Sequence, residues 1–141
     1  MRKILVDADA FIGIVKKVDS HHSHCSSIVL GLNDQDVQYW TSNYVFSEVV
    51  TVLSLRGGKN LAEQYITSMK NKHSQYQFVF IDERIEQQAI DIWKKQRSKN
   101  TSFVDCTNMA LMNDQKFDCI FSFDNVYTKN GILTISSYSS L

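Results

Sequence analysis

"ILVDADAFIGI", residues 4–14, carries three aliphatics straight into two acids and then returns to apolar residues. The aliphatic run over 3–6 reads as a short buried strand with Asp7 at its carboxyl end. One acid at such a place serves as a helix cap. Whether Asp7 and Asp9 do more depends on the acids elsewhere in the chain.

Outward from this stretch, strand-like and helix-like pieces alternate, without repeats or low-complexity segments. Residues 21–32 form a weak helix and 37–40 (VQYW) a second strand. Ser42 or Asn43 caps a helix running to about residue 55, which the glycines at 57 and 58 end. A helix over 60–72 sets Leu61, Tyr65, Ile66 and Met69 on one face. Residues 78–81 (FVFI) read as a buried strand. Asp82 then caps a helix carrying Ile85, Ala89, Ile92 and Trp93 at helical spacing. A helix over about 103–113 and strands over 119–123 and 131–135 complete the pattern. Such alternation predicts one three-layer α/β/α domain over residues 1–141, with a central parallel sheet covered on both faces.

Composition sets the class. A hydrophobic share of 43% and an aromatic share of 11% over 141 residues belong to a folded globular domain. No stretch approaches the roughly 20 apolar residues that span a bilayer. The amino terminus lacks a signal-peptide pattern, so a cytoplasmic protein with no membrane partner is expected. Cys25, Cys106 and Cys119 contain no CxxC pair and read as reduced, packed thiols. With 15 basic and 15 acidic residues there is no global basic field. Nucleic-acid binding therefore requires a local patch.

Glu48 is the only charge in "YVFSEVVTVLSL" (44–55), and its helical neighbours are Tyr44, Val45, Thr51 and Val52. A carboxylate buried there without a partner costs several kcal/mol, to an order of magnitude. Asp105 lies three residues after Ser102, the spacing of a capping box, and alone reads as a cap. Asp124 ends "CIFSFD" as Asp7 ends "ILVD"; alone it is a cap or an Asx-turn residue. Taken together, Asp7 and Asp124 follow strands while Glu48 and Asp105 open helices. In a parallel sheet such positions converge on one crevice. Four like charges meeting there require a counter-cation. Carboxylate oxygens without histidine or thiolate select Mg2+ or Mn2+ over zinc. Such an ion activates water and stabilises the leaving oxygen of a phosphodiester.

Four blocks, "ILVDADAFI" (4–12), "TSNYVFSEVVTVLSLRGG" (41–58), "SFVDCTNMALM" (102–112) and "FSFDNVY" (121–127), make the chain resemble the PIN domains. More narrowly, it resembles the VapC-type toxins of bacterial toxin–antitoxin pairs, over nearly its whole length. The resemblance implies a Mg2+- or Mn2+-dependent endoribonuclease acting on single-stranded RNA. It also implies a homodimer and a cognate antitoxin whose carboxyl-terminal segment blocks the acidic pocket. The acidic set carries over as Asp7, Glu48, Asp105 and Asp124, and Ser122 matches a position usually Thr or Ser. Ala8 and Asp9 depart from the small hydroxyl or amide residues usual there. Asp9 either supplies an extra metal-facing carboxylate or points into solvent.

Other features are weighed beside this. "HHSHC" (21–25) lacks a second cluster to complete a tetrahedral metal site and reads as exposed surface, with contacts to RNA phosphates as the alternative. Among the basic residues, Arg56 and Lys59 have the best claim on RNA, since they follow the helix of Glu48. Trp40 and Tyr44 read as core, with base stacking as the alternative. "VDADAF" also matches the start of haloacid-dehalogenase-type phosphatases, with Asp7 as nucleophile, but leaves Glu48 without a role. A third reading is a catalytically inactive PIN-like module that binds RNA or protein.

Overall fold

The computed structural model describes residues 1–135; residues 136–141 of the expected domain lie outside the described residues. Strands β1 (Arg2–Val6), β2 (Val37–Ser42), β3 (Tyr76–Val79), β4 (Cys119–Phe121) and β5 (Thr134–Ile135) form one sheet in the order β3-β2-β1-β4-β5. Every pairing is parallel. The helices are α1 (Ala8–Val15), α2 (His22–Leu32), α3 (Asn43–Gly57), α4 (Lys59–Lys70), α5 (Glu83–Lys95), α6 (Phe103–Asp114) and α7 (Val126–Lys129). None is long and apolar enough to cross a membrane.

β1 is central because its residues are apolar on both faces. Ile4 pairs with Tyr39 on one side and Cys119 on the other. Ile4 and Val6 face a core built with Phe11, Ile28, Val49 and Tyr65 from α1–α4. Leu5, between them, faces the second core with Ile85, Met109 and Tyr127 from α5–α7. Period-two alternation thus divides one strand between two hydrophobic layers. The chain runs outward from β1 through β2 to β3, then returns to place β4 on the opposite side. The switch point of the sheet therefore lies between the carboxyl ends of β1 and β4, where ligands bind in such folds.

Local chemistry sets the helix starts. Ser42 accepts the Val45 amide at 3.1 Å, and Asp82 accepts that of Ile85 at 2.9 Å. At the end of α3, Gly58 has φ +95°, a left-handed conformation that favours glycine.

Some expectations need correction. The strand expected over 78–81 occupies Tyr76–Val79 at the sheet edge and is only partly buried. Asn43 captures the Ile81 amide at 2.7 Å beyond its end, and Phe80 is 62% exposed. Trp93 is 52% exposed, because α5 buries Ile85 and Ala89 and the next residue after Ile92 turns about 100° away. In α4, Tyr65 and Met69 are buried with Ala62, while Leu61 and Ile66 are half-buried. β4 stops at Phe121, and β5 begins at Thr134 rather than at residue 131. Helices α1 and α7 were not anticipated. The three cysteines are free and buried, as expected.

Helices α1 and α2 meet across Gly13. A Cβ at this position would lie 2.5 Å from Cys25 Sγ and 3.3 Å from His21 Cβ. Gly13→Val is expected to destabilise the protein by about 1–3 kcal/mol in urea unfolding, the usual cost of overpacking. Cys25→Ala in the same chain should recover part of that loss. A Gly13→Val chain as stable as the parent would refute this close approach.

Candidate functional site

Asp7 follows β1 and caps α1. Its Oδ1 accepts the Ala8 amide at 2.8 Å and Asn108 Nδ2 at 3.0 Å. Its Oδ2 accepts the hydroxyls of Ser122 and Tyr127, both at 2.9 Å. The residue is 5% exposed. Four donors thus fix one buried carboxylate between β1, β4, α6 and α7.

Tyr127 and Ser122 each offer one proton to two acids. The Tyr127 hydroxyl lies 2.9 Å from Asp7 Oδ2 and 3.3 Å from Asp105 Oδ1, while it accepts from Asn108 Nδ2. The Ser122 hydroxyl lies 2.9 Å from Asp7 Oδ2 and 3.3 Å from Asp9 Oδ2. Asp9 does not point into solvent. Its Oδ2 accepts the Phe123 amide at 2.8 Å, and its Oδ1 is buried without a hydrogen-bond partner. Pulling Ser122 and Phe123 toward Asp9 also explains why β4 ends early.

Asp105 fills its expected cap and also reaches the acidic cluster. It forms the capping box with Ser102, accepting the Ser102 amide at 2.9 Å through Oδ2, while Oδ1 faces Tyr127. Asp124 is exposed; its Oδ1 accepts the Val126 amide at 3.0 Å, and its own amide donates to Ser122 Oγ. Glu48, half-buried on α3, borders a cavity of about 520 Å³ lined also by Tyr44, Ser47, Thr51 and Val104.

The charges feel one another. Burial, and then the charge of Asp9, push the Asp7 carboxyl up to about 7. Burial likewise pushes Asp9 up to about 6, with Asp124 adding to the effect. Glu48 is raised by burial and then by Asp7 and Asp105. Asp105 is raised by burial, with a further push from Asp124. The ion pairs among the described residues, Met1–Asp36 and Arg84–Asp114, involve none of these acids. Near neutral pH the cluster must therefore hold protons or take up a cation from outside.

A sequence model of the PIN domain matches residues 4–132. The chain belongs to the PIN domain family. Among solved structures, it is similar to the VapC20 toxin of Mycobacterium tuberculosis, which cleaves the sarcin–ricin loop. The TM-score is 0.83 at 21% identity, over 92% of this chain and 96% of that one. It is also similar to a toxin–antitoxin complex from Klebsiella pneumoniae, with a TM-score of 0.65 at 10% identity, over 96% of this chain and 98% of that one. These likenesses show a shared fold. No curated protein matches the sequence.

Within this PIN domain the donors suit a hard divalent cation by type: carboxylate oxygens, together with the orphaned acceptors Asp9 Oδ1 and Asn108 Oδ1. No ready-made cage of three His, Cys, Asp or Glu side chains exists among the described residues. Asp7, Asp9 and Asp105 are tied into one network by Ser122 and Tyr127, and Asp124 joins through its amide. Glu48 approaches from α3 through charge alone.

Arg56 and Lys59 are exposed and are not brought to the acids. Arg56 lies eight residues beyond Glu48, about 12 Å along the helix axis. Lys129, overlooked in the sequence, instead lines a cleft of about 230 Å³ with Asp124, Asn125 and Ser98. Asn108 and Tyr127 were overlooked too. Asn108 left a signal, as an amide one turn after Asp105 just ahead of the apolar run Met109–Met112. Trp40 is a packing residue, meeting Phe117 edge-on with the Lys3 ammonium over both rings. Tyr44 borders the Glu48 cavity and donates its hydroxyl to Glu86 at 2.6 Å. The "HHSHC" segment is not uniformly exposed: His21 and His22 are half-buried, and His22 Nδ1 lies 2.7 Å from the Gly13 carbonyl oxygen.

Proposed function

We propose that this PIN domain, one unit over residues 1–141, is a Mg2+- or Mn2+-dependent endoribonuclease acting on single-stranded RNA, and the toxin of a VapC-type toxin–antitoxin pair. One observation carries the reading: several buried or half-buried carboxylates meet at the sheet's switch point, and no ion pair among the described residues neutralises them. Asp7, Glu48, Asp105 and Asp124 are the residues that hold the ion, with Asp9 and Ser122 as accessories. The similarity to a sarcin–ricin-loop-cleaving toxin and to a toxin–antitoxin complex supports RNA as substrate and a cognate antitoxin as partner.

Each residue contributes differently. Asp7, held by four donors, is the fixed anchor. Tyr127 and Ser122 set the distances from Asp7 to Asp105 and Asp9. Glu48, at the cavity wall, adds a carboxylate from α3 that meets Asp7 and Asp105 through charge. An ion held by these residues would lower the pKa of a bound water and offset negative charge on the phosphodiester. The antitoxin masks the same acidic pocket. The reading includes a homodimer in the cytoplasm, and exposed Leu55 and Phe80 offer apolar surface for that contact.

The purified chain should cut a single-stranded RNA with Mg2+ or Mn2+, lose that activity on chelation, and regain it when the metal is restored. Intact RNA under metal-replete conditions, across a panel that includes a sarcin–ricin stem-loop, would overturn the proposal.

A further inference from the structure

The histidines at the start of α2, His21 at its N-cap and His24 within it, find a use beside the acidic cluster. His21 lies flat against Phe123, with ring centroids 4.2 Å apart and planes within 5°. His24, on the next turn, meets the same ring at 5.4 Å and 45°. Phe121 closes a third side edge-on at 6.1 Å. This arrangement is built rather than incidental. His22 is anchored at the Gly13 carbonyl, and Cys25 Sγ packs 3.6 Å from the Ala10 carbonyl oxygen. The absence of a side chain at Gly13 lets α2 come close enough to deliver both rings. Phe123 is itself fixed to the cluster, since its amide donates to Asp9 and the next residue is Asp124.

His24 is exposed, and Phe123 is its only ring contact among the described residues. A half-buried aromatic surface therefore opens to solvent beside the carboxylates. Unpaired RNA bases stack on such rings, histidine included. A phosphate is the poorer fit there, because Asp9 and Asp124 adjoin Phe123, and Asp19 accepts the His21 amide at 3.0 Å.

We infer that His21, His24 and Phe123 form a nucleobase subsite that stacks a base splayed from single-stranded RNA next to the bond to be cut. This inference rests on the nuclease reading. It adds a determinant of where along the strand cleavage falls.

The test is equilibrium binding of a labelled single-stranded oligoribonucleotide to an Asp7→Asn chain with Mg2+ present, read by fluorescence anisotropy at fixed salt. His24→Ala in that background is expected to weaken binding roughly tenfold, within the range for loss of one base stack. His24→Phe should keep the parent affinity and His24→Lys should not. An oligonucleotide with one abasic position at the stacked base should bind the parent and the His24→Ala chain alike. Equal affinity for all the variants overturns the inference, and so does rescue by Lys but not by Phe, which would mark a phosphate contact. If the unsubstituted chain cuts no RNA and the Asp7→Asn chain binds none, the nuclease reading itself has failed. That outcome is distinct from cleavage that is merely indifferent to His24.

Discussion

Asp7→Asn is expected to abolish RNA cleavage while leaving the chain folded. Loss of a charge-stabilising group in a preorganised site costs about 10²–10³-fold, and an ion's anchor belongs at or above that scale. The fold survives because Asn is isosteric. Its oxygen still accepts from Ala8 and Asn108, and Ser122 and Tyr127 can turn their protons to Asp9 and Asp105, already 3.3 Å away. Glu48→Gln should match it in activity without touching the hydrogen-bond network. Asp105→Asn should lose activity and also weaken the capping box, at about 1 kcal/mol of stability. Initial rates against metal concentration, with unfolding curves on the same preparations, check all three. Parental rates for Asp7→Asn at saturating metal would remove Asp7 from the chemistry.

The second large effect is on stability against pH. Asp7 titrates near 7 and Asp9 near 6 in the fold, against 3.8 when unfolded. Between about pH 4 and pH 7 the native state therefore holds protons that the unfolded chain has released. Stability is fully present below the unfolded value and declines as pH rises through the folded ones. For metal-free protein the loss is on the order of a few kcal/mol from pH 5 to pH 8. Asp7→Asn should flatten the slope. Mn2+ added at pH 8 should raise the melting temperature most, because it binds only the folded, ionised cluster. Thermal melts across this range in chelator decide the matter. A melting temperature that climbs from pH 5 to pH 8 without metal contradicts the cost of burying these acids.

Much of this was legible in the sequence because the signals were local. Ser42, Asp82 and Ser102 cap their helices as their side-chain chemistry predicts, and the apolar runs found a parallel sheet. Helix α1 escaped notice because Ala8, Ala10, Phe11, Ile12 and Gly13 are all buried, leaving no polar stripe to reveal a helical period. The edge position of β3 is a tertiary fact, invisible in four apolar letters. At the site, Asp7, Glu48, Asp105 and Asp124 stood out as charges amid hydrophobic neighbours. Tyr127 and Asn108 did not, since a tyrosine in an apolar sequence looks like packing until its hydroxyl is seen between two acids. Asp9 was read as either metal-facing or solvent-facing. It does not face solvent: its Oδ2 binds the exit of β4, more than a hundred residues downstream, and its Oδ1 is left without a partner.

That distance has a consequence for biosynthesis. The hydroxyls that steady Asp7 come from Ser122 and Tyr127, 115 and 120 residues later in the chain. A ribosome that has made the first hundred residues holds an amino-terminal strand whose partner on one side does not yet exist. The acidic centre can close only once Ser122 and Tyr127 have left the ribosome. The proposed catalytic centre thus stays unassembled until β4 and α7 have both been made.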